Sequence, residues 1–137
     1  MLWYVAFMDE RDTVGPAWWR DAKYRGLFTK PGVEHCIAYR SVSPGSLLFV
    51  EPMAEYLHVD VVDGWAHDMN RELAADLGAT ILLYRHEEAP PPQRRRVRAQ
   101  HVTCASVLGY MLGVEPVPLG PLQLLEALRQ RGAKEIT

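Results

Sequence analysis

Apolar residues fall along this chain in two periods, and the change of period marks out the elements. Leu2–Phe7 is a short apolar run, read as a buried strand. The turn signal Lys30-Pro31-Gly32 precedes Glu34–Arg40, where polar and apolar positions alternate as in a strand. Ser43-Pro44-Gly45-Ser46 makes the next turn, and Leu47–Glu51, closed by Pro52, makes the second arm of a hairpin. Tyr56–Val62 is β-branched and alternating, a third consecutive strand. The period then lengthens. Trp65, Met69, Leu73 and Leu77 recur every four residues, with Asp68, Arg71, Glu72 and Asp76 between them. That is an amphipathic helix, and Gly78 is placed to end it. Ala79–Tyr84 reads as a further strand. Thr103–Leu112 reads as an apolar helix that ends near Gly113. Pro116, Pro118 and Pro121 space out a connector, and Leu122, Leu125 and Leu128 mark a last helix ending at Gly132. With the sheet first and the helices last, the pattern predicts an α+β fold: a small antiparallel sheet packed with helices.

Two segments stand outside this rhythm. Pro16–Phe28 carries Trp18, Trp19, Tyr24 and Phe28, as a short helix or a packed loop. Burial in a small core is the stronger reading of these rings, ahead of a pocket or an interface. Pro90-Pro91-Pro92 and the following Arg94, Arg95, Arg96 and Arg98 form a proline- and arginine-rich connector near 89–99. Such a cluster can hold phosphate or a partner's carboxylates, but beside a proline tract it reads first as a solvated linker. There is no internal repeat and no second domain, so residues 1–137 read as one domain.

Composition narrows the classes. With 48% hydrophobic and 23% charged residues, the 137-residue chain is globular and not disordered. A formal net charge of −2 gives no reason to expect nucleic acid or an acidic membrane as partner. The apolar start is short and soon meets Asp9, Glu10, Arg11 and Asp12, so it reads as a strand and not as a signal peptide. No run approaches the ~20 apolar residues of a membrane span. Two cysteines do not make a disulfide framework, so a reducing, cytoplasmic setting is the simpler expectation.

The candidate chemistry lies in the ordered pair His35 and Cys104. His35 opens the alternating strand, and Cys104 opens an apolar helix with Thr103 as its N-cap. Helix N-termini favour negative charge, and a neighbouring imidazole completes an activated thiol. His35, Ile37 and Tyr39 share one strand face, and Leu47, Phe49 and Glu51 share a face of the next. A tight hairpin therefore brings Glu51 near His35, where a carboxylate would fix the tautomer of the ring. Cys36 takes the other face and is expected to pack in the core. A small core residue is also the plain alternative for Cys104. Metal binding is the competing chemistry, since His35, Cys36, His101 and Cys104 are ligand types. But His35 and Cys36 point to opposite faces, and structural zinc needs four ligands. His58, Asp60, Asp63 and His67 match no standard motif. Neither metal nor cofactor is expected.

Three pieces, Glu34-His35-Cys36-Ile37-Ala38-Tyr39, Leu48-Phe49-Val50-Glu51-Pro52 and Thr103-Cys104-Ala105-Ser106-Val107-Leu108-Gly109, resemble the circularly permuted papain-like fold of NlpC-like and lecithin-retinol-acyltransferase-like proteins. In that family a histidine starts one strand, a polar residue ends the next, and the nucleophilic cysteine follows at a helix N-terminus. The likeness spans roughly residues 33–130. Glu51 stands where His, Asn or Asp is commoner. The tail from Leu112 to Leu125 looks like the helix-connector-helix ending of small phage-encoded members. The resemblance implies a permuted papain-like architecture and, through those members, a phage structural or interaction module with protein partners, associated with a virion. The alternative it implies is an active cysteine hydrolase or acyltransferase, a peptidase or amidase acting on a peptide or cell-wall amide. There Cys104 attacks, His35 moves the proton and Glu51 orients His35.

Overall fold

Strand β1 (Leu2–Met8) forms the middle of an antiparallel sheet, because both of its edges are paired. The computed structural model describes residues 1–9, 26–53, 56–87 and 102–136. Trp18, Trp19 and Tyr24, the Pro90–Pro92 tract, Arg94, Arg95, Arg96 and Arg98, and His101 lie outside the described residues. On one side β1 pairs with β2 (His35–Ser43), with Met8 opposite His35. A turn at Pro44-Gly45, with Gly45 at φ 77°, leads into β3 (Ser46–Pro52). The next strand, β4 (Leu57–Asp63), lies on the outer edge. Helix α1 (Ala66–Leu77) follows and ends at Gly78 in the left-handed conformation, φ 61° and ψ 28°. The chain then returns to the other edge of β1 as β5 (Thr80–Arg85). Helices α2 (Cys104–Met111) and α3 (Pro121–Gln130) come next, and a short β6 (Lys134–Ile136) pairs with β5. The strand order is β4-β3-β2-β1-β5-β6. The class is α+β, as the sequence pattern indicates.

Strand alternation sends side chains to two apolar layers. Trp3, Val5 and Phe7 of β1, Cys36 and Ala38 of β2, Val50 of β3, and Leu82 and Tyr84 of β5 face α2 and α3. There they pack with Cys104, Ala105, Leu108, Leu124, Leu125 and Leu128. Ala6, Met8, Ile37, Tyr39 and Ile81 face the other way, under Met69, Leu73 and Leu77 of α1. The Tyr39 hydroxyl donates to Asn70 Oδ1 and ties α1 to the sheet. The layers are thus α2 and α3, then the sheet, then α1. Strand β4 lies at the margin of this packing, with Leu57, Val59 and Val61 each more than half exposed.

Two local expectations need correcting. Pro121 belongs to α3 as its first residue and not to the connector. A proline lacks the N–H that the first helical turn leaves unpaired anyway, so it begins a helix without cost. The sheet is also not finished before the last helix: β6, which the pattern does not predict, follows α3. The connector is held at its α3 end. The Thr103 hydroxyl donates to the Leu119 carbonyl at 3.1 Å, and the Leu122 N–H donates to the Phe28 carbonyl at 2.9 Å. Among the described residues, no helix is long and apolar enough to cross a membrane.

Candidate active site

The local structure around Cys104 begins with its neighbours. Thr103 is the N-cap of α2, with extended backbone, and its Oγ1 accepts from the Ser106 N–H at 3.0 Å. In return, the Thr103 N–H donates to Ser106 Oγ at 2.7 Å. This reciprocal cap fixes the first turn and leaves Cys104 as its first helical residue, where the main-chain N–H groups and the helix dipole favour an anion. The Cys104 residue is 2% exposed.

His35 is the first residue of β2 and is buried. In the β2–β3 ladder Ala38 pairs with Val50, so Glu51 falls on the same sheet face as His35, one diagonal step away. His35 Nε2 and Glu51 Oε1 are 3.0 Å apart, and the Glu51 side chain is 26% exposed. Nδ1 is buried and has no hydrogen-bond partner at ordinary geometry. The Cys104 thiol acts on the ring electrostatically and raises it.

The electrostatics of the cluster point in one direction. Burial pushes the Cys104 thiol up, but the Cys36 thiol, the His35 ring and its charge, and the Cys36 main chain together pull it down from 9.0 to about 6. Burial pulls the His35 ring down, but pairing with Cys104 and then with Glu51 raises it from 6.5 to about 9. Between those two values the favoured pair is a thiolate beside an imidazolium. Cys36 is pushed the opposite way, well above its ordinary value, by burial and then by the neighbouring Cys104. It therefore stays a thiol.

The structure thus brings Cys104, His35 and Glu51 into one cluster and adds Cys36 to it. Strand alternation does send Cys36 and His35 to opposite faces. But His35 lies at the very end of β2, where the first turn of α2 reaches both residues. No local spacing signals this place for Cys36, because adjacency along a strand sends it away from His35. Among the described residues, no group of three or more His, Cys, Asp or Glu side chains is arranged to hold a metal ion. The His58 ring lies 3.9 Å from Asp60, with both side chains half exposed. A cavity of about 680 Å³ lies between the connector and α3, lined by Glu115, Pro118, Leu119, Gln123 and Arg131 among others. It includes none of the three site residues and borders them only through Leu119, which holds Thr103. No family model matches the chain, and neither a curated protein nor a solved structure matches it.

Proposed function

We propose that this protein is a cysteine-dependent acyl-transfer enzyme, a hydrolase or acyltransferase acting on an amide or ester. One observation carries the reading: a helix-start thiol held down to about 6 beside a histidine raised to about 9, whose far nitrogen is 3.0 Å from a carboxylate. A buried structural cysteine does not need an ionised partner, whereas a nucleophile does. In this mechanism the Cys104 thiolate attacks the carbonyl carbon. The oxyanion that forms lies near the N–H groups of the first turn of α2, which the helix leaves unpaired. His35, as imidazolium, gives its proton to the leaving amine or alcohol. The neutral ring then takes a proton from water, or from an acceptor nucleophile, as that group attacks the thioester. Glu51 holds the ring in place and favours its charged form. The experiment is turnover of a panel of peptide amides and activated esters by wild type and Cys104→Ser. Turnover in wild type that the variant loses while remaining folded supports the reading. Equal turnover in both refutes it.

A second reading has its own observations. Cys104 is 2% exposed, and β4 presents Leu57, Val59 and Val61 to solvent. Both suit a module that works through its surface, such as a phage virion component with protein partners, in which the cysteine and histidine are vestigial. In a virion-assembly assay that module keeps its function as Cys104→Ser. For the enzyme, the same substitution removes function without changing partner binding.

A further inference from the structure

The mechanism above leaves one buried thiol without a task. Cys36 is fully buried, is free, and packs in the same apolar cluster as Cys104, which is also free. One sits at the start of β2 and the other at the start of α2, and the two thiols interact. We infer that Cys36 is a resolving thiol for Cys104, and that peroxide converts the pair into a reversible intramolecular disulfide that takes the nucleophile out of action. The inference rests on Cys104 being a reactive thiolate, but not on its carrying out acyl transfer.

The chemistry assigns the roles in order. The Cys104 thiolate attacks one peroxide oxygen. The O–O bond breaks, hydroxide departs and takes up a proton to become water, and Cys104 becomes a sulfenic acid. Once Cys104 is an uncharged sulfenic acid, the Cys36 sulfur gives up its proton towards the sulfenic hydroxyl and attacks the Cys104 sulfur with thiolate character. An S–S bond forms, the S–O bond breaks, and the departing hydroxyl leaves as water with the Cys36 proton. Two thiols are oxidised by two electrons, and one peroxide is reduced to two waters. Cys36 cannot act first, because burial and its charged neighbour keep it protonated. A nearby thiol also protects Cys104, since a sulfenic acid left alone proceeds to sulfinic acid, which a simple reductant does not reverse. Burial of the pair suits an oxidant as small as hydrogen peroxide.

The test treats the full chain with hydrogen peroxide, blocks remaining thiols with N-ethylmaleimide, and reads intact mass and a non-reducing peptide map. The expected result is a loss of two hydrogens, one cross-linked peptide joining Cys36 to Cys104, and recovery of both thiols with dithiothreitol. In Cys36→Ala, where His35 still holds the Cys104 thiol down, a longer treatment takes Cys104 to a sulfinic acid that dithiothreitol does not reverse. The wild-type map decides alone if that variant fails to fold. Sulfinic acid at Cys104 beside a free Cys36 in wild type overturns the inference, as does a disulfide between two chains. If wild-type Cys104 is alkylated near pH 6 yet no internal disulfide forms, the inference fails while the thiolate reading stands. If Cys104 resists both reagents, both fail.

Discussion

Replacing His35 with alanine separates the thiol from its charge partner, and the effect on reactivity follows from the site. With a pKa of about 6, Cys104 is roughly a quarter thiolate at pH 5.5, whereas a thiol at 9.0 is only about 0.03% thiolate. That is a ratio of roughly 800 in reacting species. The more acidic thiolate is also the weaker nucleophile. With a Brønsted slope of about 0.4–0.5, the gap between 9.0 and about 6 takes back roughly 20-fold. Alkylation of Cys104 in His35→Ala should therefore be ~30-fold slower at pH 5.5, but only ~4-fold slower at pH 7. Both figures set the variant's thiol at its ordinary 9.0: burial pushes it up from there, and the Cys36 thiol and main chain, which remain, pull it down. Removing the buried His35 ring also opens access to Cys104, so the shape of each pH profile, and not the absolute rate, carries the comparison. The assay is the second-order rate of iodoacetamide labelling from pH 4.5 to 9.5, with the modified peptide mapped so that Cys36 is counted separately. The wild-type profile should bend near pH 6. A bend near pH 9 in wild type, or superimposable profiles for the two proteins, refutes the reasoning.

The same pair makes an unusual statement about stability and pH. His35, raised in the fold, contributes stability that is complete below 6.5 and lost as pH climbs to about 9. Cys104, lowered in the fold, contributes stability that is complete above 9.0 and lost as pH falls to about 6. The two slopes oppose each other, so urea midpoints should show little pH dependence from this pair between pH 6.5 and 9. A steep trend that vanishes in the double variant His35→Ala/Cys104→Ala contradicts this. Glu51→Gln keeps an acceptor for Nε2 but removes the charge, so the His35 ring should titrate at lower pH by NMR; an unchanged titration removes Glu51 from the site. Thr103→Ala loses the cap on Ser106 and the bond to Leu119, together about 2–3 kcal/mol, while Thr103→Ser keeps both. Equal urea midpoints for the two variants argue against the cap. Gly109→Ala puts a Cβ 2.5 Å from Pro118 Cδ, so it should destabilise by about 1–3 kcal/mol despite the better helix propensity of alanine. A rise in midpoint means that the connector yields.

Much of this arrangement was legible in the chain because it rests on local periodicity. The four-residue repeat of Trp65, Met69, Leu73 and Leu77 with Gly78 behind it sets α1 almost to the residue. Alternation in β2 and β3, joined by a short turn, places Glu51 beside His35. What the pattern hides is tertiary. Lys134–Ile136 has no period of its own and becomes a strand because β5 offers an open edge. Leu57, Val59 and Val61 alternate as a buried face would, yet α2 and α3 do not extend over them. The place of Cys36 beside Cys104 depends on where α2 crosses the end of β2, which no local spacing encodes.

The central place of β1 bears on how the molecule folds. The first strand of the chain finds one neighbour in β2 but the other only in β5, where Leu2 pairs with Arg85. Closing so long a loop precedes any reward from the pairing, so the sheet's spine is completed late and refolding should be slow for a chain of this size. The helix that carries Cys104 docks on that spine. Until it does, neither thiol has its histidine or its cover, and both behave as ordinary exposed cysteines. A brief labelling pulse early in refolding should therefore mark Cys36 and Cys104 alike, and the two should diverge only as β5 joins β1.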